Sequence, residues 1–252
     1  MIQARDLWFS YRRGPPVLKG IDITVKDGGM LGIVGPNGSG KSTLLRCLSG
    51  VLRPRKGEVL LDGAPMEGLG PRVVARKVSF LEQDSHYGFD YTAWEIASTG
   101  RYAHSRFLDW GDAAHARVVE DSLRDAGALH LKDRLYSELS GGERQRVNIA
   151  RCLAQGATTM LLDEPTHDLD IAGSRDLMDL IVRLNSEKGI AVVSVTHDLG
   201  TAFRTFPQIA MVHRGAIMEI GSASSTLTED NIRRCFEVPV SVDGEKGTIV
   251  VL

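Results

Sequence analysis

Residues 30–48 read MLGIVGPNGSGKSTLLRCL. The first part is a short apolar run that stops at a glycine, as a strand buried on both faces of a parallel sheet does. The last part carries Leu44, Leu45 and Leu48 at helical spacing. Between them Gly35, Gly40, Lys41 and Ser42 fill the pattern G-x-x-x-x-G-K-[ST] without a gap, with Pro36, Asn37, Gly38 and Ser39 inside it and Thr43 beside it. A strand, a glycine-rich loop and a helix start, in that order, make a cradle for phosphate. The glycines let backbone N–H groups close around a β-phosphate, the helix N-terminus adds positive potential, and Lys41 reaches toward the β- and γ-phosphates. Ser42 supplies a hydroxyl for Mg²⁺. The stretch predicts a phosphate-loop NTPase core of α/β class with a mostly parallel sheet.

Working outward, IQARDLWFSY and VLKGIDITVKDGG alternate apolar and polar residues and predict an antiparallel β subdomain. GEVLLDG adds a strand, and KVSFLEQ adds a buried one. From about residue 90 the pattern turns helical in TAWEIASTG, DAAHARVVEDSLRDAG and GGERQRVNIARCLAQG. TTMLLDEP, a helix through SRDLMDLIVRLNSEKG, and IAVVSVTHD then restore strand–helix–strand alternation. IAMVHRGAIMEIGS and FEVPVSVDGEKGTIVVL each predict a hairpin. The expected organisation is a single unit over 1–252, with about 1–88 and 156–252 forming the nucleotide core and antiparallel part, and about 89–155 an inserted α-helical subdomain.

Ligands of open parallel sheets gather outside the carboxyl ends of the strands. Asp163 sits where the apolar run MLL ends, placed to hold Mg²⁺ through water opposite Ser42. Glu164 follows at once and is the candidate to polarise an attacking water. Gln83 ends VSFLEQ and His197 ends AVVSVTH, so Gly35, Gln83, Asp163 and His197 are expected to converge on one nucleotide. Tyr11 has two readings, stacking on adenine or packing the antiparallel edge.

At 252 residues the chain can bury a substantial core without staples. Lys+Arg 30 against Asp+Glu 32 gives a formal charge of -2, which disfavours a polyanion surface, and no nucleic acid partner is expected. Cys47, Cys152 and Cys235 are far apart, form no CxxC pair, and read as reduced core thiols. No apolar run approaches the roughly 18–20 residues a spanning helix needs, and MIQARDLWFSYRRG has no apolar leader core. Work at a membrane is expected to go through a partner.

LSGGERQR, residues 139–146, is a second glycine-rich helix start. Ser140 and Glu143 form an S-x-x-E capping box. Capping alone does not call for Gly141 and Gly142, which cost about 1 kcal/mol each relative to alanine if helical. Side chains missing at a helix N-terminus suit the close approach of an anion. Because the chain's own loop already surrounds a β-phosphate, the expected customer is a second copy turned head to tail, with two such sites about a two-fold axis.

On these residues the chain resembles an ATP-binding cassette ATPase over nearly its whole length. GPNGSGKST resembles the Walker A motif, MLLDE Walker B, LSGGE the family signature, Gln83 the Q-loop, DLD around Asp170 the D-loop, and His197 the switch histidine. The resemblance implies ATP and Mg²⁺ as cofactors, with Gln83 joining Ser42 and Asp163 at the metal and Lys41, Gln83, Glu164 and His197 at the chemistry. It implies ATP contacts from Ser140, Gly141, Gly142, Glu143 and Asp170 in a head-to-tail dimer. It also implies a peripheral place at the cytoplasmic face of the cell membrane, gripping permease subunits and, through them, serving a substrate-binding protein. Longer stretches, among them TGRYAHSRF and the ending FEVPVSVDGEKGTIVVL, resemble the ATPases of bacterial importers for iron chelates, haem and corrinoids. DSHYGFDYTAW offers Tyr87, Phe89 and Tyr91 for docking the permease or for packing beneath a loop. His167 and Asp168 stand after DEPT where that group carries small or amide residues, and AGSRD replaces its usual segment; both departures are expected to lie outside the ATP chemistry. A non-transport relative with a soluble partner, such as an Fe–S assembly ATPase, and a small-molecule phosphate-loop kinase are the alternatives.

Overall fold

The computed structural model describes residues 1–12, 14–83, 88–104, 113–244 and 247–252. Strand β1 (Ile2–Phe9) pairs antiparallel with β2 (Leu18–Val25), whose alternating burial marks a sheet with one wet face. Strand β3 (Met30–Val34) is buried at every position and leads through the glycine loop into α1 (Lys41–Leu48), where Leu44, Leu45 and Leu48 are buried. Strands β4 (Lys56–Leu61) and β5 (Ala64–Pro65) complete an antiparallel sheet of order β2-β1-β4-β5. Helix α2 (Pro71–Ala75) precedes β6 (Val78–Leu81). The inserted helices α3 (Ala93–Thr99), α4 (Ala113–Asp125) and α5 (Gly141–Ala154) follow. Strands β7 (Thr159–Asp163) and β8 (Ala191–Val195), both buried throughout, flank α6 (Ile171–Lys188). The chain continues through α7 (Leu199–Thr205), the hairpin of β9 (Gln208–His213) and β10 (Ala216–Ser222), α8 (Ala223–Thr226) and α9 (Glu229–Phe236). It ends in the hairpin of β11 (Val240–Asp243) and β12 (Thr248–Val251).

The second sheet has order β10-β9-β3-β8-β7-β6 and is parallel except for β10 at one edge. Its register positions the site. Ile33 and Asp163 both pair with Val195, and Leu81 pairs with Leu162, so four strands end nearly level. Gly35, Gln83, Glu164 and His197 each lie one or two residues past those ends. The carboxyl edge of the sheet thus gathers residues as far apart in sequence as Gly35 and His197 into one row.

Two apolar clusters hold this arrangement. Leu44, Leu45 and Leu48 of α1 join Ile21, Ile33 and Val193, so one core lies between the two sheets around α1. On the other face Ile96, Leu123 and Val147 from the inserted helices share a cluster with Leu162, Leu177 and Val192. The inserted helices therefore share their apolar cluster with the sheet. Cys47, Cys152 and Cys235 are free and buried, and burial raises all three thiols, Cys47 to about 12 and Cys235 to about 11. Helix α9 has no counterpart in the sequence reading. Its signal was present: the Thr228 side chain accepts from Asn231 N–H, Glu229 and Asp230 stand in the first turn, and Arg233 and Arg234 in the last.

One close approach fixes the end of β3. A Cβ at Gly35 (φ 155°) would lie 2.1 Å from the Val212 carbonyl oxygen of β9, whereas one at Gly63 (φ 83°) would meet nothing within 4 Å. Gly35→Ala is expected to destabilise the nucleotide-free chain by more than about 3 kcal/mol, because backbone must separate from backbone. Gly63→Ala carries only the left-handed penalty of about 1 kcal/mol. Chemical denaturation of the two variants measures the difference.

Candidate active site

The glycine loop closes on the Lys41 ammonium. Lys41 is only 6% exposed, and its Nζ donates to the Gly35 carbonyl at 2.8 Å and the Pro36 carbonyl at 3.0 Å. Burial pulls its pKa below the ordinary ammonium value, and the charges of Glu164 and Asp163 oppose that pull. The loop is held from outside by the β9–β10 turn. Gly215 N–H donates to the Ser39 carbonyl at 3.0 Å, and Lys19 N–H donates to the Gly215 carbonyl at 2.8 Å. Ser39 Oγ is buried and has no hydrogen-bond partner among the described residues, and it lies 2.9 Å from where a Gly35 Cβ would be. An unpaired hydroxyl at a loop narrowed by glycine fits a phosphate oxygen.

At the end of β7, Ser42 Oγ donates to Asp163 Oδ1 at 3.0 Å. Asp163 is 2% exposed; burial raises its pKa from 3.8, Ser42's hydrogen bond lowers it, and the Glu164 charge raises it further. A hydroxyl and a carboxylate side by side form a hard-oxygen pair that fits Mg²⁺, with phosphates and water to complete the shell. Glu164 leaves the strand with φ 47°, a conformation uncommon outside glycine, and its N–H donates to the Val195 carbonyl at 3.1 Å. The turn aims its carboxylate at β8: Glu164 Oε2 lies 3.2 Å from His197 Nδ1.

These groups open into a cavity of about 680 Å³. Of the residues expected from the sequence, Asn37, Gly38, Gly40, Lys41, Ser42, Thr43, Gln83, Glu164 and His197 line it. Gly35, Pro36, Ser39 and Asp163 stand directly behind, through the contacts given above. Tyr11 meets the site at one end, its hydroxyl 3.2 Å from Thr43 Oγ1, and its ring packs edge-on against Phe9 at 4.9 Å. His167 also lines the cavity, although the sequence reading set it outside the ATP chemistry. The signal available was the residue itself, an imidazole four positions after Asp163 in a turn.

The other glycine-rich helix start lies elsewhere. Ser140 caps α5, with the Ser140 N–H and hydroxyl both donating to Glu143 Oε2 at 2.8 Å. Those hydrogen bonds hold the Glu143 carboxyl below its usual range. A side chain at Gly142 would meet nothing within 4 Å, and one at Gly141 would touch Leu169. Asp170 caps α6 by accepting from Gly173 N–H at 2.6 Å. Ser140, Gly141, Gly142, Glu143 and Asp170 do not line the cavity of their own chain.

Comparison with known proteins supplies the family. The ABC transporter family matches residues 18–167. The chain is 40% identical over 241 residues to a hemin import ATP-binding protein of Myxococcus xanthus, covering 92% of this chain and 89% of that one. It is 36% identical to a cobalamin import ATP-binding protein of Halobacterium salinarum over 93% of this chain, but it spans only 58% of that relative's length. Among solved structures, an inward-facing metal-chelate type ABC transporter superposes with TM-score 0.86 at 25% identity, over 100% of this chain and 96% of the other. A dimeric bacterial ABC transporter cassette superposes with TM-score 0.78 at 28% identity, over 88% of this chain and 99% of the other.

Asp163 gives a test with a defined sign. Its folded pKa is raised, so the folded state favours the neutral carboxyl, and that stability is present below the unfolded value of 3.8 and lost as pH rises through the folded value. Asp163→Asn is therefore expected to match the parent chain in acid and to be the more stable apo protein at neutral pH, while losing Mg²⁺-dependent stabilisation by ATP. Denaturation at both pH values, with and without Mg-ATP, reads both effects.

Proposed function

The chain belongs to the ABC transporter family, and from that premise we propose that it is the ATP-hydrolysing subunit of an importer, working as a head-to-tail pair that drives uptake of a metal chelate such as haem, a siderophore or a corrinoid. The carrying observation is the row of Lys41, Ser42 with Asp163, and Glu164 with His197 along one cavity at the carboxyl edge of the sheet. Mg-ATP bound there brings the negative charge that the buried ammonium needs and the metal that the Ser42–Asp163 pair fits. Lys41 leaves its two carbonyl partners for phosphate oxygens. Glu164 takes a proton-sharing position toward water, and His197 holds its carboxylate in place. Gln83, past the end of β6, would hold the metal together with Ser42 and Asp163, and Tyr11 would stack on the base.

The second copy accounts for LSGGE. The start of α5 offers a capped helix N-terminus with open space over Gly142, outside its own cavity. Facing a partner's phosphate, Ser140 and the Gly141 and Gly142 N–H groups close the site, with Asp170 and its turn between the two. ATP then bridges two chains, and hydrolysis releases the bridge.

For the cargo, support comes from the hemin and cobalamin import relatives and from the metal-chelate transporter structure, at the identities given above. Among the described residues no helix is long and apolar enough to cross a membrane, so permease subunits provide the path and a binding protein the delivery, with this chain peripheral on the cytoplasmic face. The permease contact falls beside Gln83. Phe89 is 78% exposed, and a separate cavity of about 680 Å³ is walled by Leu52, Pro54, Met66, Val74 and Phe80 with exposed Val51. Tyr87, expected on the same surface, lies outside the described residues.

Glu164→Gln is expected to keep ATP affinity and lose roughly 10³-fold in turnover, and vesicles reconstituted with permease and binding protein should lose ATP-driven chelate uptake with it. Outward cargo movement, or assembly with soluble partners alone, contradicts the importer reading. Cysteines introduced at Ser140 and Asn37 should crosslink between chains in the presence of ATP; gel mobility that shows only intrachain bonds contradicts the head-to-tail pair.

A further inference from the structure

The turn from Glu164 to Asp168 carries an imidazole that the roles above leave unused. His167 N–H donates to the Glu164 carbonyl at 2.9 Å, which closes the turn, and both residues line the cavity. There it lines the cavity with Lys41, Ser42, Gln83 and His197. Its Nε2 lies 3.5 Å from Asp168 Oδ1, too long for a good hydrogen bond. With the His167 side chain 41% and the Asp168 side chain 79% exposed, water screens what attraction remains. The ring therefore has a weak partner, and a phosphate oxygen is a better, charge-assisted acceptor.

Tyr11 touches Thr43, which lines the cavity beside the glycine loop, and Glu164, paired with His197, lines the same cavity. A nucleotide with its base toward Tyr11 and its phosphates in the loop points its terminal phosphate at the wall that holds Glu164 and His167.

We propose that His167 is an imidazole contact for the terminal phosphate of the bound nucleotide, and that Asp168 is the partner it leaves when that phosphate arrives. The inference rests on the nucleotide reading of the cavity and adds a residue that distinguishes ATP from ADP. An acceptor present only in ATP makes His167 specificity-determining. Asp168, which competes for the same ring nitrogen, weakens the contact while it holds the ring.

Calorimetric titration of the full chain with ATP and with ADP, in Mg²⁺, tests this on His167→Ala, His167→Gln and Asp168→Asn. His167→Ala is expected to weaken ATP binding about tenfold, the scale of a hydrogen bond to a charged group, while ADP binding stays within about twofold. His167→Gln keeps an N–H donor and should recover part of the loss; it also serves if the alanine variant does not fold. At φ 63° Asp168 has a backbone that asparagine tolerates, so Asp168→Asn removes the competing charge without forcing the turn, and ATP binding should tighten about two- to threefold. Equal losses for ATP and ADP, no loss for either, or weaker ATP binding in Asp168→Asn would overturn the contact. Failure of the unmodified chain to bind ATP overturns instead the nucleotide reading beneath it.

Discussion

The structure depends on the contact between the end of β3 and the carbonyl of Val212 on β9. Nothing larger than glycine fits at position 35, since an added Cβ would sit 2.1 Å from that oxygen. The contact lets the loop start directly against the next strand, and the β9–β10 turn then ties the loop from above through Gly215 and Ser39. Its lower side rests on α1, whose leucines are locked into the cluster between the two sheets. A phosphate cradle is worth little if its N–H groups wander, and here β9, the β9–β10 turn and the adjoining α1 together hold the nine-residue loop still.

That rigid loop concentrates unfavourable electrostatics. An ammonium and a carboxylate are both nearly buried, each with its pKa moved toward neutrality by desolvation. Without ligand the site satisfies itself in pairs: Lys41 on the Gly35 and Pro36 carbonyls, Ser42 on Asp163, and His197 beside Glu164. Each pair has a partner that a phosphate or a hard cation can replace with a stronger one. Self-pairing satisfies the polar groups of the empty site, and exchange of partners is the physical means by which nucleotide would alter its shape.

The carboxyl edge also explains how distant elements meet. The inserted helices share an apolar cluster with β7 and β8, so a shift of the Glu164–Asp168 turn meets packed side chains. Leu169, in the continuation of that turn, stands against the position a Gly141 side chain would occupy at the start of α5. Through this turn the cavity and the second glycine-rich helix start are mechanically adjacent although they do not share a lining. Contacts of that kind are rigid because packed interiors have few alternative arrangements.

What the sequence determined by itself was local and covalent in range. GPNGSGKST specified loop chemistry through residues that are consecutive, and the Ser140–Glu143 box specified the start of α5 because its two partners are only three positions apart. Apolar runs ending at Gly35, Gln83, Glu164 and His197 announced buried parallel strands, since strands covered on both faces cannot alternate. Short range also limited that reading. Helix α9 escaped it despite a clear cap, and His167 looked peripheral because a turn residue's direction is set by what the turn packs against. Only the tertiary structure decided the register that levels Ile33, Asp163 and Val195, the clamp of Gly215 on Ser39, and the entry of His167 into the cavity. The physical reason is that these depend on hydrogen bonds and contacts between segments far apart in the chain, where side-chain period says which face is buried but not which neighbour it meets.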